Sequence, residues 1–452
     1  MLEEKANRCI DLISLPKKSF WKLSIPIAVF LIFNTFYSIV DMMWVTSLSM
    51  DAAFAVSASA PLLAFIATFG DSIGQGTNSI MSRYIGSKDY NSAYNSLIHG
   101  IIVSVIISVL FLLSLPFIEG LFYLMMLDNS SNLIVEYLTP LLLFSFIFIF
   151  INVFCETFQV EGNSKTPVAI MIASNILNLI LDPIFIYWLH MGVSGAAYAS
   201  VISQFLGVIA FIYLYLNGRT KVPLSLKYFK FRFHIVVEIL KVALPNFIDD
   251  GMVFVFAMFI NEVLLLEIGS MGIVLYAISI KIRSLLRSPI KGMSRGLMSV
   301  TGHLFGAKKI DELNEMYIYV LKYTLIISLF ISISFFVLRE NIYESFSVFD
   351  METSIFYIGI FGVILTMVYP FTNVSSKMLD GFGKSYYSLF FTILRSILQI
   401  ILIVVLGDLM PYGTSVLVGI TIGEVIFSAI YFITLKLLFR KFKSNKDTLV
   451  VT

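Results

Sequence analysis

Twelve stretches of about 20 or more mainly apolar residues run through this chain of 452 residues. A helix crossing the hydrocarbon core of a bilayer needs about that many. The windows fall at about 20–48, 54–80, 96–118, 134–157, 166–189 and 194–217, then at about 238–267, 271–298, 314–338, 353–376, 386–406 and 414–436. In lipid every backbone polar group must be satisfied internally, so runs of this length can only be helices. Apolar types make up 58% of the chain and charged types 13%, against roughly 45–50% and about 25% in soluble domains. The expected fold is an all-α polytopic membrane protein, and a water-soluble enzyme, a disordered chain and a nucleic-acid binder are excluded. A net charge of +2 adds no pull toward polyanions. Cys9 and Cys155 lie far apart and match no metal or redox spacing.

The charged segment Met1–Lys18 is followed by an apolar run too long for a cleavable signal core. It reads as a short cytoplasmic helix leading into the first span. With the N-terminus inside, the inside segments hold most of the 31 Lys and Arg residues, while the outside loops hold only Arg339. That bias puts both termini in the cytoplasm and the chain in the cell membrane.

The chain also repeats itself. Lys22-Leu23-Ser24-Ile25-Pro26 parallels Lys241-Val242-Ala243-Leu244-Pro245 at an offset of 219. Arg83–Lys88 parallels His303–Lys308 at 220, and Gly162–Lys165 parallels Gly381–Lys384 at 219. Six spans per copy make both copies enter from the same side. The two lobes are therefore expected to be related by a pseudo-twofold along the membrane normal. The expected division is an N-lobe over 1–217, a cytoplasmic linker over 218–235, a C-lobe over 236–436 and a basic tail over 437–452.

A carboxylate inside a span is costly and points to function. Asp41 and Asp182 each lie about seven residues from the outer end of spans one and five, hence roughly 10 Å below the surface. Ser200 reaches the same layer on span six, with Gln204 one turn beyond it. Asn175, Asn178 and Asp182 share one helix face at i, i+3, i+7, and Asn34, Tyr37 and Asp41 repeat that spacing. Pro183 frees the carbonyl of Leu179, and Pro26 frees that of Lys22 and gives span one a place to bend. The plainer reading of such residues is polar glue between helices. Two carboxylates at matched depth, set beside asparagines, favour a functional site.

Gln159-Val160-Glu161-Gly162-Asn163-Ser164-Lys165-Thr166-Pro167, followed by Asn175, Asn178 and Leu181-Asp182-Pro183, resembles the signature of multidrug and toxic compound extrusion (MATE) transporters. Met81–Gly86 through Ala93 resembles that family's loop after span two, and Leu379–Ser385 its C-lobe counterpart. An aspartate late in span one after an early proline is similar to the DinF-like branch. The resemblance implies a coupling-cation site for H⁺ or Na⁺ at Asp41, Asp182, Asn178 and Ser200, with the family's usual threonine replaced by Ser200. At an offset of 219, those four residues map to Ile260, Ile401, Ile397 and Gly419, so coupling is expected in the N-lobe alone.

In the C-lobe, Asp249 and Asp250 sit near the estimated depth of Lys281. The expectation is a structural Asp249–Lys281 ion pair, or else a substrate or second proton site. Asp71 and Glu424 are further buried acids, and Arg395 is expected to pair with Asp380.

The expected activity is antiport rather than enzymatic catalysis. Drug-like amphipathic, often cationic solutes would leave through an inter-lobe cavity against inward H⁺ or Na⁺, in a monomer with no cofactor beyond the coupling ion. An aspartate's reference pKa of about 3.9 can rise by up to 3–5 units on burial, which suits proton coupling, while the same oxygens suit Na⁺. A flippase of lipid-linked sugars within the same exporter superfamily is the alternative, and an intramembrane aspartyl protease a remote one.

Overall fold

The computed structural model describes residues 11–46, 48–124, 131–221, 229–267, 270–344, 352–410 and 412–444. Those residues are almost wholly helical, with no strand among them. After a short helix α1 (Asp11–Ser14), the N-terminal half contains α2 (Pro16–Thr46), α3 (Met50–Gly86), α4 (Tyr90–Leu124), α5 (Ser131–Leu143), α6 (Ser145–Val160), α7 (Lys165–Pro183) and α8 (Gly192–Leu216). The C-terminal half contains α9 (Phe233–Glu267), α10 (Ser270–Gly306), α11 (Ile310–Glu344), α12 (Glu352–Gly381), α13 (Tyr386–Gly407) and α14 (Tyr412–Ser444).

By length and hydropathy, eight of the described helices can cross a bilayer, nine when α5 and α6 count as one span bent by 49°. Pro140 lies one turn before that break and removes a backbone donor. The long helices α3, α9 and α10 pack among the others and complete twelve spans. Span five does not stay α-helical to its end. After Pro183 it widens into a π turn over Ile184–Trp188, closed by Leu189 N–H on the Ile184 carbonyl at 2.9 Å.

Two boundaries differ from the sequence reading. Helix α9 begins at Phe233, inside the expected linker, whose residues 222–228 lie outside the described residues. Helix α14 runs to Ser444, so the basic tail from 437 starts as a continuation of the last span. Of the N-terminal cytoplasmic helix, only Asp11–Ser14 is described. Cys9 lies outside the described residues, and Cys155 is a free thiol.

The repeat is visible in the turns. Lys88 and Lys308 adopt left-handed φ values of 65° and 57° just past α3 and α10. Gly162 and Gly383, past α6 and α12, do the same at 78° and 72°. A left-handed residue ends a helix by turning the chain back onto its last carbonyls. Here Lys88 and Lys308 donate to the carbonyls of Ile85 and Phe305 at 3.0 and 2.9 Å.

The halves meet through reciprocal glycines. A Cβ at Gly86 would overlap the carbonyl of His303, and a Cβ at Gly306 would overlap that of Arg83. Gly296 lies against Ser24 of α2, and its repeat counterpart Gly76 lies against Ile239 and Ala243 of α9. Glycine is required wherever two backbones approach this closely. Span one of each half thus packs on span two of the other.

Candidate functional site

Helices α2, α7 and α8 converge on one polar layer. Tyr37 Oη donates to Asn178 Oδ1 at 2.5 Å. Asn178 Nδ2 in turn reaches Asp182 Oδ1 at 3.0 Å and Ser200 Oγ at 3.3 Å. One turn lower, Asn175 Nδ2 donates to Asn34 Oδ1 at 3.0 Å, and Gln204 Nε2 donates to Asn175 Oδ1 at 3.4 Å. Asn178 and Asp182 are buried at 0% and 1% exposure, whereas Asp41 is only half-buried.

Asp182 Oδ2 is buried, and the Asp41 carboxyl stands within hydrogen-bonding reach of the Asp182 carboxyl. Two neighbouring carboxylates repel unless a proton or a cation lies between them. The layer can therefore take up positive charge. The i, i+3, i+7 spacing already placed these side chains on facing stripes, and the structure brings together every N-lobe residue singled out from it. Pro26 sits inside α2 and Pro183 at the end of α7, and the carbonyl of Lys22 freed by Pro26 accepts from Ser164 Oγ at 3.0 Å.

Tyr137 of α5 was missed. It is buried and close enough to feel the charges of both Asp41 and Asp182. Depth matching on span four would have raised it, but tyrosine is common near membrane surfaces and gives no distinct signal. Tyr187, within the π turn, ties α7 to α2 by donating to the Trp44 carbonyl at 2.8 Å.

The C-lobe expectations need correction. Lys281 is exposed and forms no ion pair with Asp249 or Asp250 among the described residues. Asp249 instead faces Thr392 and Arg395 of α13, while Asp250 faces Asp71, Lys291, Lys377 and Arg295. Similar depth did not fix the angle around the helix axis, and the two side chains point to different neighbours. Arg395 pairs with Glu424 at 3.3 Å rather than with Asp380, which binds Lys377 at 2.8 Å and Ser385 Oγ at 2.5 Å. Lys281→Gln should accordingly leave expression and detergent melting unchanged, within about 0.5 kcal/mol. A thermal-shift series on the purified variant checks this.

A second polar group, of which the sequence singled out only Asp71, ties the lobes together. Asp71 of α3 pairs with Arg295 of α10 and accepts from Gln75 at 3.0 Å. Lys377 of α12 reaches Gln75 at 2.5 Å and Asn246 of α9 at 3.0 Å. Asn78 bridges Glu156 at 2.8 Å and Ser299 at 2.9 Å, and Arg83 pairs with Glu238 at 3.3 Å. These links, with Trp21 Nε1 to Tyr319 Oη at 2.9 Å, crowd toward the end of the bundle where α3 and α10 stop. Near mid-height Phe69 stacks on Phe247 at 3.9 Å. Phe36, Val40 and Met43 on the far half of α2 are 55%, 41% and 62% exposed.

Fold and polar layer together define a two-lobed polytopic membrane protein with paired carboxylates in one lobe. The comparisons bear on its fold and family. The MatE family model matches residues 26–184 and 250–405. The multidrug export protein MepA of Staphylococcus haemolyticus is 24% identical over 302 residues, a match covering 65% of each chain. The matched part thus spans less than two thirds of that relative's length. A crystal structure of MATE in the bent conformation is 28% identical, with a TM-score of 0.91 over 97% of this chain and 99% of that one. An outward-facing multidrug resistance MATE family transporter of the MOP superfamily, also 28% identical, gives a TM-score of 0.90 over 95% and 97%. The chain belongs to the MatE family of membrane transporters. Its relatives are named as export proteins and transporters, which speaks against the aspartyl protease.

Proposed function

We propose that the chain exports amphipathic, often cationic organic compounds from the cell by alternating access, in exchange for inward H⁺ or Na⁺. Relatives named multidrug export proteins support the cargo class. The observation that supports the coupling is the Asp41–Asp182 pair, two carboxyl groups within hydrogen-bonding reach of each other in the N-lobe. Asn178 Oδ1, Ser200 Oγ and the two carboxylates supply the oxygens a hard cation prefers, and the same carboxylates accept a proton. We assign this site to the DinF-like pattern, in a monomer set in the cell membrane with both termini inside.

That orientation puts the crowded cross-lobe contacts on the cytoplasmic side, and we read the described state as outward-facing on that ground. Cargo leaves from it; charge entering the N-lobe then releases the cross-lobe contacts and resets the carrier. The test is uptake of a fluorescent organic cation by inside-out vesicles under separately imposed pH and Na⁺ gradients. Accumulation should follow at least one gradient and collapse when it is dissipated; accumulation independent of both overturns the reading. Tyr37→Phe removes one hydrogen bond to Asn178, worth about 1 kcal/mol. Coupled uptake should fall about fivefold, measured in the same vesicles at equal protein.

A further inference from the structure

The interior of the C-lobe holds a charged cluster whose charges do not balance. Arg395 of α13 and Glu424 of α14 form an ion pair at 3.3 Å. Two more guanidiniums flank Glu424, those of Arg283 and Arg287 on α10. At the offset of 220 that relates Gly76 of α3 to Gly296 of α10, their positions are Leu63 and Ala67, so these arginines belong to the C-lobe alone. Arg287 lies over the Tyr369 ring at 4.3 Å and donates one Nη2 hydrogen bond to the Leu365 carbonyl at 3.2 Å. Its buried Nε has no hydrogen-bond partner among the described residues. Arg283 reaches the Tyr276 hydroxyl. Asp249 adds a second acid, but beside Arg395 on the far side of the cluster.

Three cations share two carboxylates in the interior of the lobe, and an uncompensated buried charge is costly. The planar guanidinium fork matches carboxylate and phosphate oxygens, and the Tyr369 face holds Arg287 in place. The side chains of Arg395 and Glu424 remain 17% and 11% exposed, so the cluster is reachable.

We propose that Arg287 and Arg283 form a subsite for the anionic group, a carboxylate or phosphate, of an amphipathic cargo molecule. The carrier then takes zwitterionic and anionic amphiphiles as well as cations. This extends the export reading but is measured without it, because equilibrium binding needs no gradient.

The probes are rhodamine B, which carries a free carboxylate, and rhodamine 6G, its close relative with that group esterified. Binding to the purified full chain is followed by fluorescence anisotropy. The wild type should bind rhodamine B at least fivefold more tightly than rhodamine 6G. Arg287→Gln should weaken rhodamine B at least tenfold and rhodamine 6G less than threefold, and Arg287→Lys should recover part of the loss. Arg283→Gln provides a second reading should Arg287→Gln fail to fold. Equal losses for both dyes mean a structural role, and no loss for rhodamine B means no anion subsite; either result overturns the proposal. Loss of gradient-driven uptake with the carboxylate preference intact would sink the export reading and leave the subsite standing.

Discussion

Asp182→Asn should abolish gradient-driven uptake, by about 100-fold or more, while the protein still folds. Asparagine keeps the size of the side chain and can still meet Asn178, so the layer stays packed. What it loses is the negative charge and the exchangeable proton of the carboxyl group beside Asp41, which an amide cannot supply. A membrane-buried carboxylate of this kind is costly to keep and easy to replace without unfolding the helix. The check is dye accumulation in inside-out vesicles, with retained gel-filtration behaviour and melting temperature as the control. Full accumulation at normal protein levels would remove Asp182 from the coupling site.

The second large effect concerns the crossing of α3 and α10. Gly86→Val and Gly306→Val each drive a side chain into a backbone carbonyl, of His303 and Arg83 respectively, and a carbonyl cannot rotate out of the way as a flexible side chain can. Overpacking of this sort costs roughly 1–3 kcal/mol. Two carrier states commonly differ by a few kcal/mol, so the described arrangement should cease to dominate. Spin labels at Lys88 and Lys309, in the turns after the two helices, should move apart by several ångströms in either variant, and dye uptake should fall at least tenfold. Unchanged distances would show that the lobes do not open there.

The sequence made the fold and the N-lobe layer readable because both depend on short-range spacing. Asn34, Tyr37 and Asp41 face Asn175, Asn178 and Asp182 because two helices of the same direction carry the same i, i+3, i+7 stripe. The repeat was readable because Gly86 and Gly306 do the same job on the two sides of one axis. Partnerships across the lobes were not readable. Arg295 with Asp71, and Lys377 with Gln75, depend on which way each helix is rotated about its own axis. Depth along the membrane says nothing of that rotation, and the supposed Asp249–Lys281 pair failed for this reason. The π turn after Pro183 likewise leaves no periodic trace in residues that are apolar on every side.

The glycine crossing is twofold and the carboxylate layer is not. On the export cycle proposed above, the joint between the lobes and the part that biases its movement are therefore different residues, Gly86 and Gly306 for the one and Asp41 and Asp182 for the other. Damage to the first jams the protein shut or open. Damage to the second leaves a working joint with no preferred direction, a facilitator through which the same compounds seep down their own gradient. For a cell such a variant is worse than none, because a pump that has lost its ratchet is a leak.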